Sequence, residues 1–154
     1  MKKAVSILSL VMFFTVPAFA AHWVEVVKSN VNKTIYVDTD SIHFDNGCGE
    51  FTELENYVQP YLSVKTIPAF SKTKIIYADF HDNWRYLEEK ITDYSGRMAQ
   101  GAIVGTYDGY ENMIKVYGRE HLELVNPATD TFKVLKWIQV EIKYKPLVKK
   151  SVQP

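Results

Sequence analysis

Short apolar runs separated by turn residues constrain this chain to a mainly β fold. The runs are rich in Val, Ile, Tyr, Phe and Trp, which suit a pleated and half-buried surface. Asn46-Gly47 predicts a tight hairpin turn, because both residues tolerate a positive φ angle. The stretch 62–73, which contains Pro68, is predicted to be a loop or an irregular edge. Strands are predicted at residues 23–27, 34–37, 42–44, 51–58, 74–80, 84–94 and 102–104.

One segment near the C-terminus has helical periodicity. Asn126 is predicted to cap the helix, Pro127 to fill its first position, and Asp130 to lie in the first turn, where a carboxylate favours the helix dipole. Strands followed by one helix predict an α+β fold, an antiparallel β-sheet meander with one C-terminal helix packed on a sheet face. The apolar stripe of that helix is Phe132, Leu135, Ile138 and Ile142.

The first twenty residues have the pattern of a secretory signal peptide. A basic start is followed by an uncharged run of about 13 residues, shorter than the roughly 20 that span a bilayer as a helix. Cleavage is predicted between Ala20 and Ala21, where no cysteine is available for a lipid anchor. We therefore expect a signal peptide at 1–20, a single domain at 21–146, and a flexible tail at 147–154. The expected location is the periplasm, the cell surface or the medium, with no membrane span in the mature chain.

Net charge argues against nucleic acid as a partner, and the aromatic content leaves two interpretations. Loss of Lys2 and Lys3 from 18 basic residues leaves 16 against 18 acidic ones, a formal net charge of −2. Such a chain lacks the basic field that nucleic acid binding needs. Ten tyrosines offer rigid contact area with a polar tip, and a protein interface is one interpretation of them. The alternative is that most lie half-buried on the sheet.

Side chains that could carry chemistry show no recognisable catalytic or metal-binding spacing. Asp38 and Asp40 form a D-x-D pair, for which capping of local backbone N–H groups is favoured over cation binding. His81-Asp82 could be half of a catalytic triad, yet no serine lies in a nucleophile turn. Surface exposure is the favoured interpretation of the histidines, and no cofactor or catalytic residue is predicted. The four histidines are His22, His43, His81 and His121.

Cys48 is the only cysteine, so this chain has no intramolecular disulfide. Its neighbours Gly47 and Gly49 indicate a turn. In an exported protein, Cys48 is a buried apolar group, a reduced thiol, or half of an intermolecular bond. The sequence shows no base beside it.

Four motifs together resemble the bacterial surface-adhesin protein E family. That family has an N-terminal Trp strand, a Y-V-D-x-x-S-I element, a Y-D-x-x-G turn and a P-x-S/T helix start. The resemblance implies an exported antiparallel sheet with a helix, and attachment to host matrix or serum proteins. The matching segments are Trp23-Val24, Tyr36 to Ile42, Asp93 to Gly96 and Asn126 to Thr129.

This chain departs from the family at a disulfide. The family often has a Cys after an Asp in the mid-chain strand and another at the end of the last helix. Here Phe80 follows Asp79, and residues 129–142 contain no cysteine. No ligand-contact residue carries over, because the motif positions look structural.

The sequence therefore predicts an exported, non-enzymatic binding protein that contacts a protein partner through its sheet surface and loops. The partner is a host matrix or serum protein, or an envelope protein. Alternatives are a periplasmic accessory or inhibitor domain acting on envelope proteins, and a small hydrolase that uses His81. Because an open sheet leaves pairing edges, a homodimer is a further hypothesis.

Overall fold

The computed structural model describes residues 21–29, 32–63, 65–81, 84–108 and 122–144. The predictions for residues 1–20, Asp82, His121 and the tail lie outside these residues. Seven strands and one helix occur in the described residues. They are β1 (Trp23–Lys28), β2 (Lys33–Asp45), β3 (Cys48–Leu62), β4 (Pro68–Asp79), β5 (Arg85–Tyr94), β6 (Ile103–Tyr107), β7 (Glu123–Leu124) and α1 (Asp130–Tyr144).

The strands form one antiparallel sheet, with β1 to β6 in chain order and β7 paired to β5. The predicted α+β fold, a β-meander with one C-terminal helix, is confirmed. The predicted hairpin turn between β2 and β3 is also confirmed. Asn46 and Gly47 have φ angles of 48° and 77°, the left-handed conformation that the Asn-Gly pair accommodates.

The prediction of a loop at 62–73 holds for Ser63 and for residues 65–67 but is wrong for residues 68–73, because β4 begins at Pro68. A proline lacks the N–H that a central strand must donate, but the first residue of a strand can do without it. Pro60 lies inside β3 for a related reason. It falls in the break of register between Asn56 and Tyr61, where the ladder is already interrupted.

The segments predicted as separate strands at 34–37 and 42–44 belong to one strand, β2, which has a shift of register between Asp38 and His43. The side chain of Asp38 stabilises the backbone at this shift of register. Its Oδ1 accepts the backbone N–H groups of His22 at 3.0 Å and Asp40 at 3.1 Å. The predicted capping role of Asp38 is therefore confirmed.

Ser41 joins the same part of β2 to β3. Its hydroxyl donates to the Asp38 carbonyl at 2.7 Å and accepts the Thr52 N–H at 2.8 Å. Asp38 and Ser41 are the Asp and Ser of the Y-V-D-x-x-S-I element, so this motif has a structural role here.

Replacing Ser41 with alanine is expected to lower the free energy of unfolding by about 1–3 kcal/mol, because the Thr52 N–H loses its acceptor in a half-buried position. Urea unfolding of the variant would measure this loss. Asp40→Asn, at an exposed neighbouring position, is the matched control and should leave stability within about 0.5 kcal/mol of the parent. Equal stability of both variants would contradict this role for Ser41.

Helix α1 begins four residues after the predicted cap. The cap is Thr129, whose hydroxyl accepts the Phe132 N–H at 3.3 Å. Asn126 instead closes the preceding turn, since its Oδ1 accepts the Ala128 N–H at 3.0 Å. The predicted place of Asp130 in the first turn is confirmed. An Asx turn comes before the helix, and this local hydrogen bond displaces the expected cap.

The core lies between α1 and one face of the sheet. Val134, Leu135 and Ile138 of the helix are fully buried. The predicted stripe is confirmed in its centre, while Phe132 and Ile142 are partly buried at its ends. On the sheet side the buried residues of this core are Val27, Ile35, Val37, Phe51, Ile76 and Ala78.

Candidate functional site

The sheet face that carries α1 changes from apolar to charged along its strands. On β3, Phe51 belongs to the core, and strand alternation places Glu53 and Glu55 on the same face. On β4, Ile76 is followed toward the β3–β4 turn by Lys74 and Lys72, which pair with Glu53 and Glu55. We name the following six residues the charged cluster. They are Lys33, Glu53, Glu55, Lys72, Lys74 and Glu88.

Lys74 is the central cation of the charged cluster. Its Nζ lies 2.6 Å from Glu88 Oε1, 3.0 Å from Glu55 Oε1 and 3.8 Å from Glu53 Oε1. Lys33 Nζ reaches Glu55 Oε1 at 2.7 Å. Among the described residues, no buried side-chain nitrogen or oxygen lacks a hydrogen-bond partner. Every buried polar side-chain atom of the cluster therefore has a partner, and such pairing offsets the cost of removing charged groups from water.

Two carboxyl groups of the charged cluster have pKa values that are shifted in opposite directions. Burial raises the pKa of Glu53 to about 7, although Lys74 acts against it. Burial also acts to raise the pKa of Glu55, but Lys74, Lys33 and the hydrogen bond from Lys33 outweigh it and hold that pKa at about 2. Near neutral pH, Glu55 is charged, whereas Glu53 gains or loses its proton.

Two tyrosines of β3 donate hydrogen bonds to carboxylates near the end of the β3–β4 hairpin, one inside the charged cluster and one outside it. The Tyr57 hydroxyl donates to Glu55, and the Tyr61 hydroxyl donates to Asp93 Oδ1 at 2.5 Å. Lys72 Nζ lies 4.6 Å from the centroid of the Tyr61 ring, within cation–π range. Burial and the acceptor carboxylates raise the pKa of both hydroxyls. Both tyrosines are thus held in place and are not open contact surface.

The same end of the sheet exposes large apolar side chains, which we name the apolar rim. Its members are 43–68% exposed, although side chains of their kind are usually buried in monomers. Leu62 lies at the end of β3 and Ile103 at the start of β6. The Ser63 hydroxyl, which meets the Val104 carbonyl at 3.5 Å, brings these two segments together. The apolar rim consists of Val58, Leu62, Ile67 and Ile103.

Hydrogen bonds fix the loop at 95–102 beside the apolar rim. Arg97 Nη2 donates to the Val58 carbonyl at 2.7 Å, and the Met98 N–H donates to Asn56 Oδ1 at 3.0 Å. The Ser71 hydroxyl donates to the Gly96 carbonyl at 2.6 Å. The loop is thus tied to β3 and β4, and its bond to the Val58 carbonyl fixes the backbone at one residue of the rim.

A second group of polar residues lies at the other end of β3 and β4. Cys48 and Asp79 are direct cross-strand partners. His81 Nδ1 lies 2.7 Å from Asp79 Oδ1 and 3.5 Å from Cys48 Sγ. The expectation that no base lies beside Cys48 is therefore wrong. The contact arises because the Asn46-Gly47 turn and the end of β4 bring distant residues together, which no short motif shows.

This group does not have the geometry of a nucleophilic triad. In such a triad the acid meets one ring nitrogen of the histidine and the nucleophile meets the other. Here Nδ1 of His81 contacts both Asp79 and Cys48. The acidic neighbour in contact is Asp79, and the predicted neighbour Asp82 lies outside the described residues.

The other predicted residues are dispersed. His22 and His43 are exposed, as predicted for surface histidines. Of the tyrosines of the sheet region that the structure describes, Tyr107 is exposed and the others are half-buried, which confirms the alternative to a tyrosine interface. The charged cluster was missed, although the alternation of Glu53 and Glu55 with Lys72 and Lys74 carried a signal. Lys72 lies in the stretch for which the sequence predicts a loop, so its pairing with Glu55 does not follow from that prediction.

Comparison with protein families gives one match. The family model described as surface-adhesin protein E matches residues 23–124, about two thirds of the chain. The match begins at β1 and ends at β7, so it covers the whole sheet. No curated protein matches the sequence. Within the part of the chain that the structure describes, no helix is long and apolar enough to cross a membrane.

Proposed function

The chain belongs to the surface-adhesin protein E family, and from this membership we propose that it is an exported, non-enzymatic binding protein with an adhesin-like role. The family match is the observation that carries the proposal. The partner is a protein, drawn from the host matrix or serum or from the cell's own envelope.

The apolar rim is the surface that we assign to this partner. Four large apolar side chains are exposed at one end of the sheet, and exposed apolar surface bordered by polar residues is typical of protein interaction sites. Arg97 and Lys65 are exposed beside the rim and could form its polar border. The charged cluster and the 95–102 loop support the proposal by holding the hairpin end in place.

Binding of the exported chain to a panel of immobilised matrix and serum proteins, and to envelope extract, tests the proposal. We expect saturable binding to one member of these sets. Leu62→Asp and Ile103→Asp should each weaken it by about 10-fold or more, because fully burying a Leu or Ile side chain is worth about 1.5–3 kcal/mol and each variant would bury a carboxylate instead.

Val140→Asp is the matched control. Val140 is similarly exposed but lies on α1, away from the hairpin end, so its substitution should leave binding unchanged. Absence of binding to every panel member and to envelope extract would contradict the proposed function. Equal loss from all three variants would contradict the assignment of the rim.

Location separates an adhesin from an accessory or inhibitor domain of the periplasm. An adhesin must be accessible to protease on intact cells, whereas a periplasmic domain is digested only after the outer layer is opened. Export through a cleaved signal peptide at 1–20 is part of the proposal, and N-terminal sequencing of the exported chain should begin at Ala21. Homodimer formation through a sheet edge stays a prediction.

A further inference from the structure

We propose that Cys48, Asp79 and His81 form a binding site for a divalent transition metal ion of the zinc type. The three residues supply a thiolate, a carboxylate and an imidazole, which are the ligand groups that zinc takes in proteins. One ligand atom from each lies within 4.8 Å of the other two. The inference does not depend on the adhesin-like role or on the apolar rim.

The distance between Cys48 and His81 fits a tetrahedral ion, and the distance between His81 and Asp79 fits one after a small movement. With bonds of about 2.3 Å to sulfur and 2.0 Å to nitrogen, two tetrahedral ligands lie about 3.5 Å apart. Cys48 Sγ and His81 Nδ1 are 3.5 Å apart. His81 Nδ1 and Asp79 Oδ1 are at hydrogen-bond distance, 2.7 Å, and must separate by roughly 0.6 Å when a metal ion takes the place of the proton between them.

The backbone already holds these ligands in place. Cys48 and Asp79 are paired across β3 and β4, and alternation puts both on the sheet face opposite to the helix. The backbone N–H of His81 donates to Asp79 Oδ1 at 2.9 Å, which holds His81 close to the end of β4. The Phe80 N–H donates to the Gly47 carbonyl at 2.9 Å, and this bond joins the segment after β4 to the turn between β2 and β3.

Gly47 leaves room for the imidazole. A Cβ atom at this position would lie 3.1 Å from His81 Cε1, closer than side chains normally approach, and the φ angle of Gly47 is 77°. The turn that makes the β2–β3 hairpin therefore also provides space for the third ligand. Both the positive φ angle of the turn and the space that the His81 imidazole occupies favour a glycine at position 47.

The site is open to solvent, so an ion can enter it and keep one exchangeable position. The His81 side chain is 49% exposed. Cys48 also lies in the wall of an open depression of about 420 Å³, together with His43, Asp45 and Glu50. Three protein ligands leave the fourth position of a tetrahedral ion to water or to a donor group of a bound molecule.

Zinc titration of the reduced chain, purified without an affinity tag from the exporting cell, tests the proposal. We expect one zinc ion per chain. Cys48→Ser and His81→Ala should each weaken binding by at least about 100-fold, since the loss of a mere supporting contact already costs 10- to 100-fold. His22→Ala, which changes an exposed histidine outside the group, is the matched control and should bind zinc like the parent.

Cobalt gives a second readout that does not depend on the stability of a variant. Binding of Co²⁺ to the parent chain should produce the near-ultraviolet charge-transfer absorption of a cobalt–thiolate bond, and zinc should abolish it. Cys48→Ser should lack this band. The proposal is overturned if the parent binds no zinc at concentrations on the order of 100 µM, or if it binds cobalt without the thiolate band. Equally tight zinc binding by Cys48→Ser and His81→Ala would also overturn it.

Discussion

Replacing Lys74 with methionine is expected to lower the free energy of unfolding by about 3–5 kcal/mol, the usual loss when one partner of a buried ion pair is removed. Lys74 is the cation within 4.0 Å of Glu53, Glu55 and Glu88. Without Lys74, Glu55 keeps its ion pair with Lys33, but Glu53 has no second ion pair among the residues that the structure describes. The remaining carboxyl groups must take up protons or remain unfavourably charged.

Urea unfolding at neutral pH measures the effect. Lys74→Arg keeps the positive charge and should lose less than Lys74→Met. Lys65→Met, at an exposed position in the β3–β4 turn, is the matched control and should change stability by no more than about 0.5 kcal/mol. A Lys74→Met chain as stable as the parent would mean that the cluster contributes no net energy through its central cation.

Replacing Glu53 with glutamine is expected to remove a fall in stability that the parent shows as the pH rises. Burial raises the pKa of Glu53 from 4.5 to about 7, so between these values the folded chain holds a proton that the unfolded chain has released. The resulting stability is fully present below pH 4.5 and is lost as the pH rises through about 7. Each pH unit costs about 1.4 kcal/mol, so the loss is on the order of 3 kcal/mol.

Stability measured by denaturant at several values from about pH 5 to about pH 8 tests this prediction. The lower limit matters because Glu55, whose pKa is held at about 2, contributes in the opposite direction at lower pH. Glu50→Gln, which removes an exposed carboxyl group of the same strand, should keep the slope of the parent. A slope unchanged in Glu53→Gln would show that Glu53 is ionised in the folded chain throughout this range.

Local chemistry allowed the sequence to predict most of the fold. The Asn46-Gly47 turn, the apolar stripe around Leu135 and Ile138, and the alternating strands depend on residues close together in the chain. The errors arose where tertiary contacts decide. Pro68 starts a strand because β3 supplies a partner, and Thr129 caps the helix because Asn126 is already engaged in a turn.

The polar groups of the sheet were harder to predict because each is assembled from distant segments. Cys48 and His81 are 33 positions apart, and they meet only when β3 pairs with β4. Glu55 is similarly distant from Lys33 and depends on the register of β2 against β3. A single-residue change of register would move either set to the opposite face, so residue types alone could not reveal them.

The division of one sheet face into an apolar part and a charged part has a consequence for temperature. Exposure of apolar surface on unfolding raises the heat capacity, whereas exposure of polar surface lowers it. A sheet that buries Glu53, Glu55 and Lys74 beside Phe51 and Ile76 therefore has a smaller heat capacity of unfolding than an apolar face of equal area. The cost of removing charges from water also falls on heating. The charged part of the face thus flattens the stability curve, so that the free energy of unfolding changes less with temperature than it would for an apolar face of equal area.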